Sequence, residues 1–117
     1  MLDTNAVLYI LAGDEVLADL LNGERLSVSI ITEMELLSYK NITPKEKQQI
    51  KNFLADFVIV NINDEIKDQE IEIKKNTHLK LPDSIIAATA IILGVPLVTS
   101  DKQFRTLEKM DLLFYEK

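Results

Sequence analysis

The sequence predicts an α/β fold with a short, mostly parallel sheet covered by helices on both faces, and two observations carry this. Short β-branched or apolar runs alternate along the chain with stretches of helical periodicity, the pattern of crossover units whose strands run parallel. One helical stretch, "DSIIAATAIILG", is apolar on nearly every side, as befits a helix buried in a core. At 117 residues, 47% apolar and 27% charged, the chain can bury a core without disulfides or a structural metal, so one domain over residues 1–117 is expected.

Taken in order, the strand candidates are the residues up to Asp3, "RLSVSI" from Arg25 to Ile30, "FVIVNI" from Phe57 to Ile62, "PLVTS" from Pro96 to Ser100 and "LLFY" from Leu112 to Tyr115. Between them, Leu17, Leu20 and Leu21 mark one helix, and Met34, Leu36, Leu37 and Tyr39 a second. Ile50, Phe53, Leu54 and Phe57 mark a third, with Pro44 near its start. Ile66, Ile71 and Ile73 lie among charges in a less regular fourth. The fifth is bracketed by Pro82 at its start and Gly94 at its end, the usual asymmetry of helix termini.

The longest apolar runs are too short to span a bilayer, and no basic segment of the kind that precedes a signal-peptide core is present. No membrane association and a cytoplasmic location are the simplest expectation. With no cysteine, thiolate metal sites are excluded. A net charge of −6 argues against binding nucleic acid by sheer basicity. A nuclease that gathers acids around a divalent ion is compatible with it, because the ion reverses the local sign.

Four acids stand where a strand ends or the next helix begins. Asp3 opens "DTN", where a turn or cap is the competing reading. Glu35 lies in "TEME", where Thr32 and Glu35 fit a capping box; Glu33 is the rival acid, and spacing alone does not choose between them. Asp83 follows Pro82 and suits a first helical turn on dipole grounds, while Asp101 follows "VPLVTS" and suits an N-cap. In a parallel sheet these junctions share one edge, outside the carboxyl ends of the strands where ligands bind. A carboxylate is chosen each time, although Ser, Thr or Asn would cap as well. Clustered carboxylates repel unless a cation intervenes, and Mg²⁺ or Mn²⁺ is the natural one. Such an ion activates water and stabilises charge on a phosphoryl group, which points to phosphodiester hydrolysis.

The segments "LDTNAVLYIL" (2–11), "SVSIITEMELLS" (27–38), "LPDSIIAATAIILGVPLVTSDKQF" (81–104) and the terminal strand resemble a PIN domain, especially the VapC-like toxins of toxin–antitoxin systems. The resemblance implies a three-layer α/β/α sandwich and a Mg²⁺- or Mn²⁺-dependent endoribonuclease. It implies catalytic roles for Asp3, Glu35, Asp83 and Asp101, and prefers Glu35 over Glu33. Asp3 and Asp83 would be direct metal ligands, while Asp101 and Glu35 would act through water, join a second metal or orient the nucleophile. Asn5 and Thr99 match supporting polar positions. The implied partners are an RNA substrate, a cognate antitoxin protein and a second copy of the chain in a homodimer.

Removing the four site acids from the −6 total leaves −2, so no global attraction for RNA remains. Lys102, Arg105 and Lys109, spaced three and four apart, would place a basic helix edge beside Asp101 and offer RNA contacts at Lys102 and Arg105; a solvated helix face is the competing reading. His78, the only histidine, reads as a surface residue, and the acids of "NDEIKDQEIEIKK" as an exposed helical face. Tyr9, Leu17, Leu20, Leu37 and Tyr39 read first as core and second as a partner surface. Two other functions compete: a non-catalytic PIN-like module acting through protein partners, and a small Asp-dependent phosphatase using Asp3 as nucleophile. The latter wants a second Asp where this chain has Asn5.

Overall fold

In the computed structural model, which describes residues 1–116, each strand is three residues long, shorter than its apolar run. The order is α1 (Thr4–Leu11), α2 (Glu15–Leu20), β1 (Ser27–Ser29), α3 (Ile30–Leu37), α4 (Pro44–Leu54), β2 (Val58–Val60), α5 (Asp64–Asn76), α6 (Leu81–Leu93), β3 (Leu97–Thr99), a 3₁₀ turn (Lys102–Thr106) and β4 (Leu112–Phe114).

The strands form two parallel pairs, β1 with β2 and β3 with β4, in register Val28 to Ile59 and Val98 to Leu113. Residues 1–3 lie between them. Leu2 donates its N–H to Ser27 O at 3.0 Å, Val98 donates to Met1 O at 2.8 Å, and Asp3 donates to Val98 O at 3.2 Å. The spatial order is therefore β2, β1, the segment 1–3, β3, β4, with a single bridge, Leu2 to Val98, where the sequence suggests a first strand.

Side chains alternate across this sheet, as the period of a strand requires. Met1, Val60, Leu97 and Leu112 join one core with Ile66, Ile73, Ile86 and Phe104 from α5, α6 and the 3₁₀ turn. Leu2, Val28, Ile59 and Val98 join the other with Val7, Leu17, Leu36, Ile50 and Leu54 from α1 to α4. Helices thus cover both faces, which gives the three layers. The alternation is what separates the two cores.

Local signals fix most helix ends. Thr43 and Glu46 close a capping box around Pro44 at the start of α4. In α6 every residue from Ser84 to Ala90 is buried, and Gly94 ends the helix at φ 65°, a conformation that a Cβ would strain.

Several expectations shift. The capping box expected at Thr32 and Glu35 is absent, because Ser29 caps α3 by accepting from Ile31 N at 3.1 Å and places both residues inside the helix. Tyr39 lies beyond the end of α3, and Phe57 beyond the end of α4. The 3₁₀ turn ends at Thr106, so Lys109 shares no helical edge with Lys102 and Arg105. Helical structure begins at Thr4, well before the Leu17 periodicity. Leu17 is core, whereas Leu20 and Tyr39 are 65% and 48% exposed. His78 is exposed. Among the described residues no helix is long and apolar enough to cross a membrane.

Candidate active site

Asp3 ends the central segment of the sheet and caps α1, accepting the Ala6 N–H at 2.8 Å through Oδ1. Its Oδ2 accepts from the Thr99 hydroxyl, and the same hydroxyl oxygen accepts the Asp101 N–H at 3.0 Å. Thr99 is fully buried at the end of β3. One side chain therefore ties the carboxylate of the first acid to the backbone of the fourth. Asp101 caps the 3₁₀ turn through the Gln103 N–H.

Glu35 reaches the same place from α3. Its Oε1 accepts the Thr4 hydroxyl at 2.6 Å, and Thr4 Oγ1 lies 3.1 Å from the buried Thr32 hydroxyl. Asp83 arrives from the first turn of α6. Asp3, Glu35, Asp83 and Asp101 all line one open pocket of about 460 Å³, together with Asn5 and Lys40. The rival Glu33 does not line it.

The acids feel one another. Asp3 is only 3% exposed, and burial pushes its carboxyl above the ordinary range; the Thr99 and Ala6 hydrogen bonds oppose that rise, and the charges of Asp101 and Glu35 add to it. Burial also raises Asp83, with further upward pressure from Asp101, Glu35 and Asp3 and partial relief from Lys80. A cation among them would relieve this repulsion.

The donor set suits a hard divalent ion, being all oxygen and mostly anionic. Among the described residues no three His, Cys, Asp or Glu side chains stand close enough to cage an ion unaided. Mg²⁺ does not need such a cage, since it keeps several waters and takes one or two carboxylates. The residues present fit that mode of binding.

Sequence reasoning brings the four acids, Asn5 and Thr99 to this end of the sheet. It does not anticipate Thr4 as the partner of Glu35, nor Lys40 in the pocket wall. Lys102 and Arg105 do not line the pocket, and the Arg105 guanidinium lies 3.8 Å from the centre of the Phe114 ring. Thr4 stands in the "DTN" already singled out, but nothing local in the sequence announces a bond to a residue 31 positions on.

The family model for the PIN domain matches residues 1–110. A comparison with curated proteins returns no match. Among solved structures, a toxin–antitoxin complex from Klebsiella pneumoniae superposes with TM-score 0.85 at 27% identity, covering 99% of this chain and 98% of that one. VapBC2 from Rickettsia felis, bound to a promoter DNA fragment, gives 0.82 at 21% identity over 99% and 98%. VapBC-1 from nontypeable Haemophilus influenzae gives 0.80 at 24% over 100% and 98%. The last two, at such identities, speak to the fold alone.

Proposed function

This chain belongs to the PIN domain family, and from that premise we propose that it is a metal-dependent endoribonuclease, the toxin of a toxin–antitoxin pair, acting as one domain over residues 1–117. The observation that carries the reading is the convergence of four carboxylates from four separate segments on one pocket at the carboxyl edge of a parallel sheet. A structural role explains each acid alone. It does not explain four mutually repelling acids with, among the described residues, a single lysine in the pocket wall.

In this reading Asp3 and Asp83 would hold Mg²⁺ or Mn²⁺, with Asp101 as a further ligand and Glu35 acting through water. The ion supplies charge neutralisation at the phosphoryl group and a more acidic water. Glu35, fixed by Thr4, orients the water for in-line attack on the phosphodiester. Thr99 fixes the Asp3 carboxylate and, by accepting the Asp101 N–H, sets the position of Asp101. Asn5, exposed at the pocket mouth, supports substrate or ligand water. Lys102 and Arg105 extend the phosphate path beyond Asp101. No covalent enzyme intermediate is needed.

Partners follow the same premise. The superposing Klebsiella pneumoniae structure is a toxin–antitoxin complex, and we assign this chain a cognate antitoxin and a homodimeric state. An apolar groove of about 750 Å³, lined by Leu8, Leu11, Ile42, Ile50 and Phe53 among others, is the surface such a protein would cover. A cytoplasmic setting, where RNA and antitoxin meet, completes the reading.

The test is RNA cleavage by the purified chain with Mg²⁺ or Mn²⁺. Cleavage should stop with EDTA and in Asp83→Asn. Full activity in either condition would refute the metal-dependent mechanism.

A further inference from the structure

We propose that the turn Tyr39–Ile42 is the substrate-reading rim of the pocket, with Lys40 taking a phosphate next to the scissile one and Tyr39 stacking on an unpaired base. The assignment rests on the ribonuclease reading above and adds to it the residues that grip the strand.

The turn is built into the sequence. α3 ends at Leu37, and Ile42 donates its N–H to Tyr39 O at 3.2 Å, closing a four-residue turn. Its third residue, Asn41, has φ 66°. A turn with a positive φ at that position favours Gly or Asn, so "SYKNI" specifies the geometry and sets Lys40 at the first corner. Asn41 is the only non-glycine residue with positive φ among those described.

Charge explains why this corner matters. An RNA strand is a polyanion approaching four carboxylates on a protein of net charge −6. Among the described residues, Lys40 is the only basic one lining the pocket. It is exposed, and among the described residues it makes no ion pair; the only salt bridges lie on α5. Lys40 is therefore available to a phosphate at no cost in broken contacts.

Tyr39 supplies the apolar partner. It is 48% exposed and lines the pocket beside Lys40. Aromatic faces bind single-stranded bases with little sequence preference, and losing one weakens binding roughly tenfold. Tyr39 follows Glu35 by four residues, so α3 holds the reading turn at a fixed distance from the proposed water-orienting carboxylate. Both Tyr39 and Lys40 also border the neighbouring apolar groove, and the test separates RNA contact from a role confined to that groove.

The experiment titrates the full chain, with Ca²⁺ replacing Mg²⁺ to slow cleavage, into fluorescein-labelled oligouridylate and oligoadenylate and follows anisotropy. Lys40→Ala should weaken both about tenfold and reduce the salt slope of log K by about 0.7; Lys40→Arg should restore them. Tyr39→Ala should weaken binding about tenfold, and Tyr39→Phe should not. In Mg²⁺, KM should rise with kcat within about twofold, while Mn²⁺ affinity by calorimetry stays unchanged. Should the wild type bind and cleave RNA while Lys40→Ala and Tyr39→Ala do the same with equal affinity, the turn belongs to the groove and this assignment fails alone. Loss of Mn²⁺ binding in the variants would also overturn it, as a folding effect. A wild type that neither binds nor cleaves RNA overturns this assignment and the ribonuclease reading together.

Discussion

Thr4 donates its hydroxyl to Glu35 Oε1 over 2.6 Å, joining the residue after the first acid to the second acid of the pocket. A hydroxyl has one proton to give. With that proton on Glu35, the 3.1 Å contact between Thr4 and the buried Thr32 hydroxyl has Thr32 as donor. The two threonines thus form a short relay that fixes the Glu35 carboxylate.

Thr4→Val should remove the relay while keeping the shape of the side chain. Under the proposed ribonuclease reading, kcat should fall about tenfold or more with KM little changed, because a mis-set Glu35 no longer orients the attacking water. Thr4→Ser should recover most of the rate. A Val variant with wild-type kcat would show that Glu35 needs no such support.

The pH dependence of stability offers a second check. Asp3 and Asp83 have folded-state pKa values raised above the ordinary 3.8. In the window between the unfolded and the raised folded values, the native state binds more protons than the unfolded one, so stability falls as pH rises through that window and stays reduced at pH 7. Asp83→Asn should therefore raise Tm at pH 7 in EDTA, and the difference from wild type should shrink toward pH 4. Saturating Mn²⁺ should raise the wild-type Tm and do so far less in Asp83→Asn. Scanning fluorimetry from pH 4 to 8 reads both effects, and an Asp83→Asn curve that tracks wild type throughout would contradict them.

Leu2 has no exposed surface and packs with Val98, Val28 and Val7 in one core. Leu2→Ala should lower the urea unfolding free energy by about 2–5 kcal/mol. It should also weaken Mn²⁺ binding, since Asp3 is the next residue. A stability loss below about 1 kcal/mol would mean that the central segment contributes less than its burial implies.

Much of this was legible from local chemistry. The buried helix α6 announces itself through Pro82, Gly94 and an all-round apolar surface, and "GVPLVTSD" announces a strand leading to an acid. These signals lie within a few residues of what they specify. The Thr32 to Glu35 capping box failed because Ser29 offered a competing cap three residues earlier. α-Helical spacing aligns Lys109 with Lys102 and Arg105, but the segment forms a five-residue 3₁₀ turn that ends at Thr106. No local signal marks Thr4 and Lys40, because their roles exist only once α1, α3 and the turn after it are packed together. Tertiary neighbours, not local pattern, define them.

The hydrogen bond between Thr99 and Asp3 spans 96 residues of chain, and that separation orders events in time. Helical hairpins such as α5 and α6 form from near neighbours, whereas this contact must wait for a long loop to close. During synthesis, Asp3 meets its partner only after β3 has left the ribosome, by which point most of the chain is already exposed. The four-acid pocket is therefore assembled late. A chain interrupted before residue 97 carries three of the four acids and no hydroxyl to hold the first of them, so truncated products should be inert toward RNA.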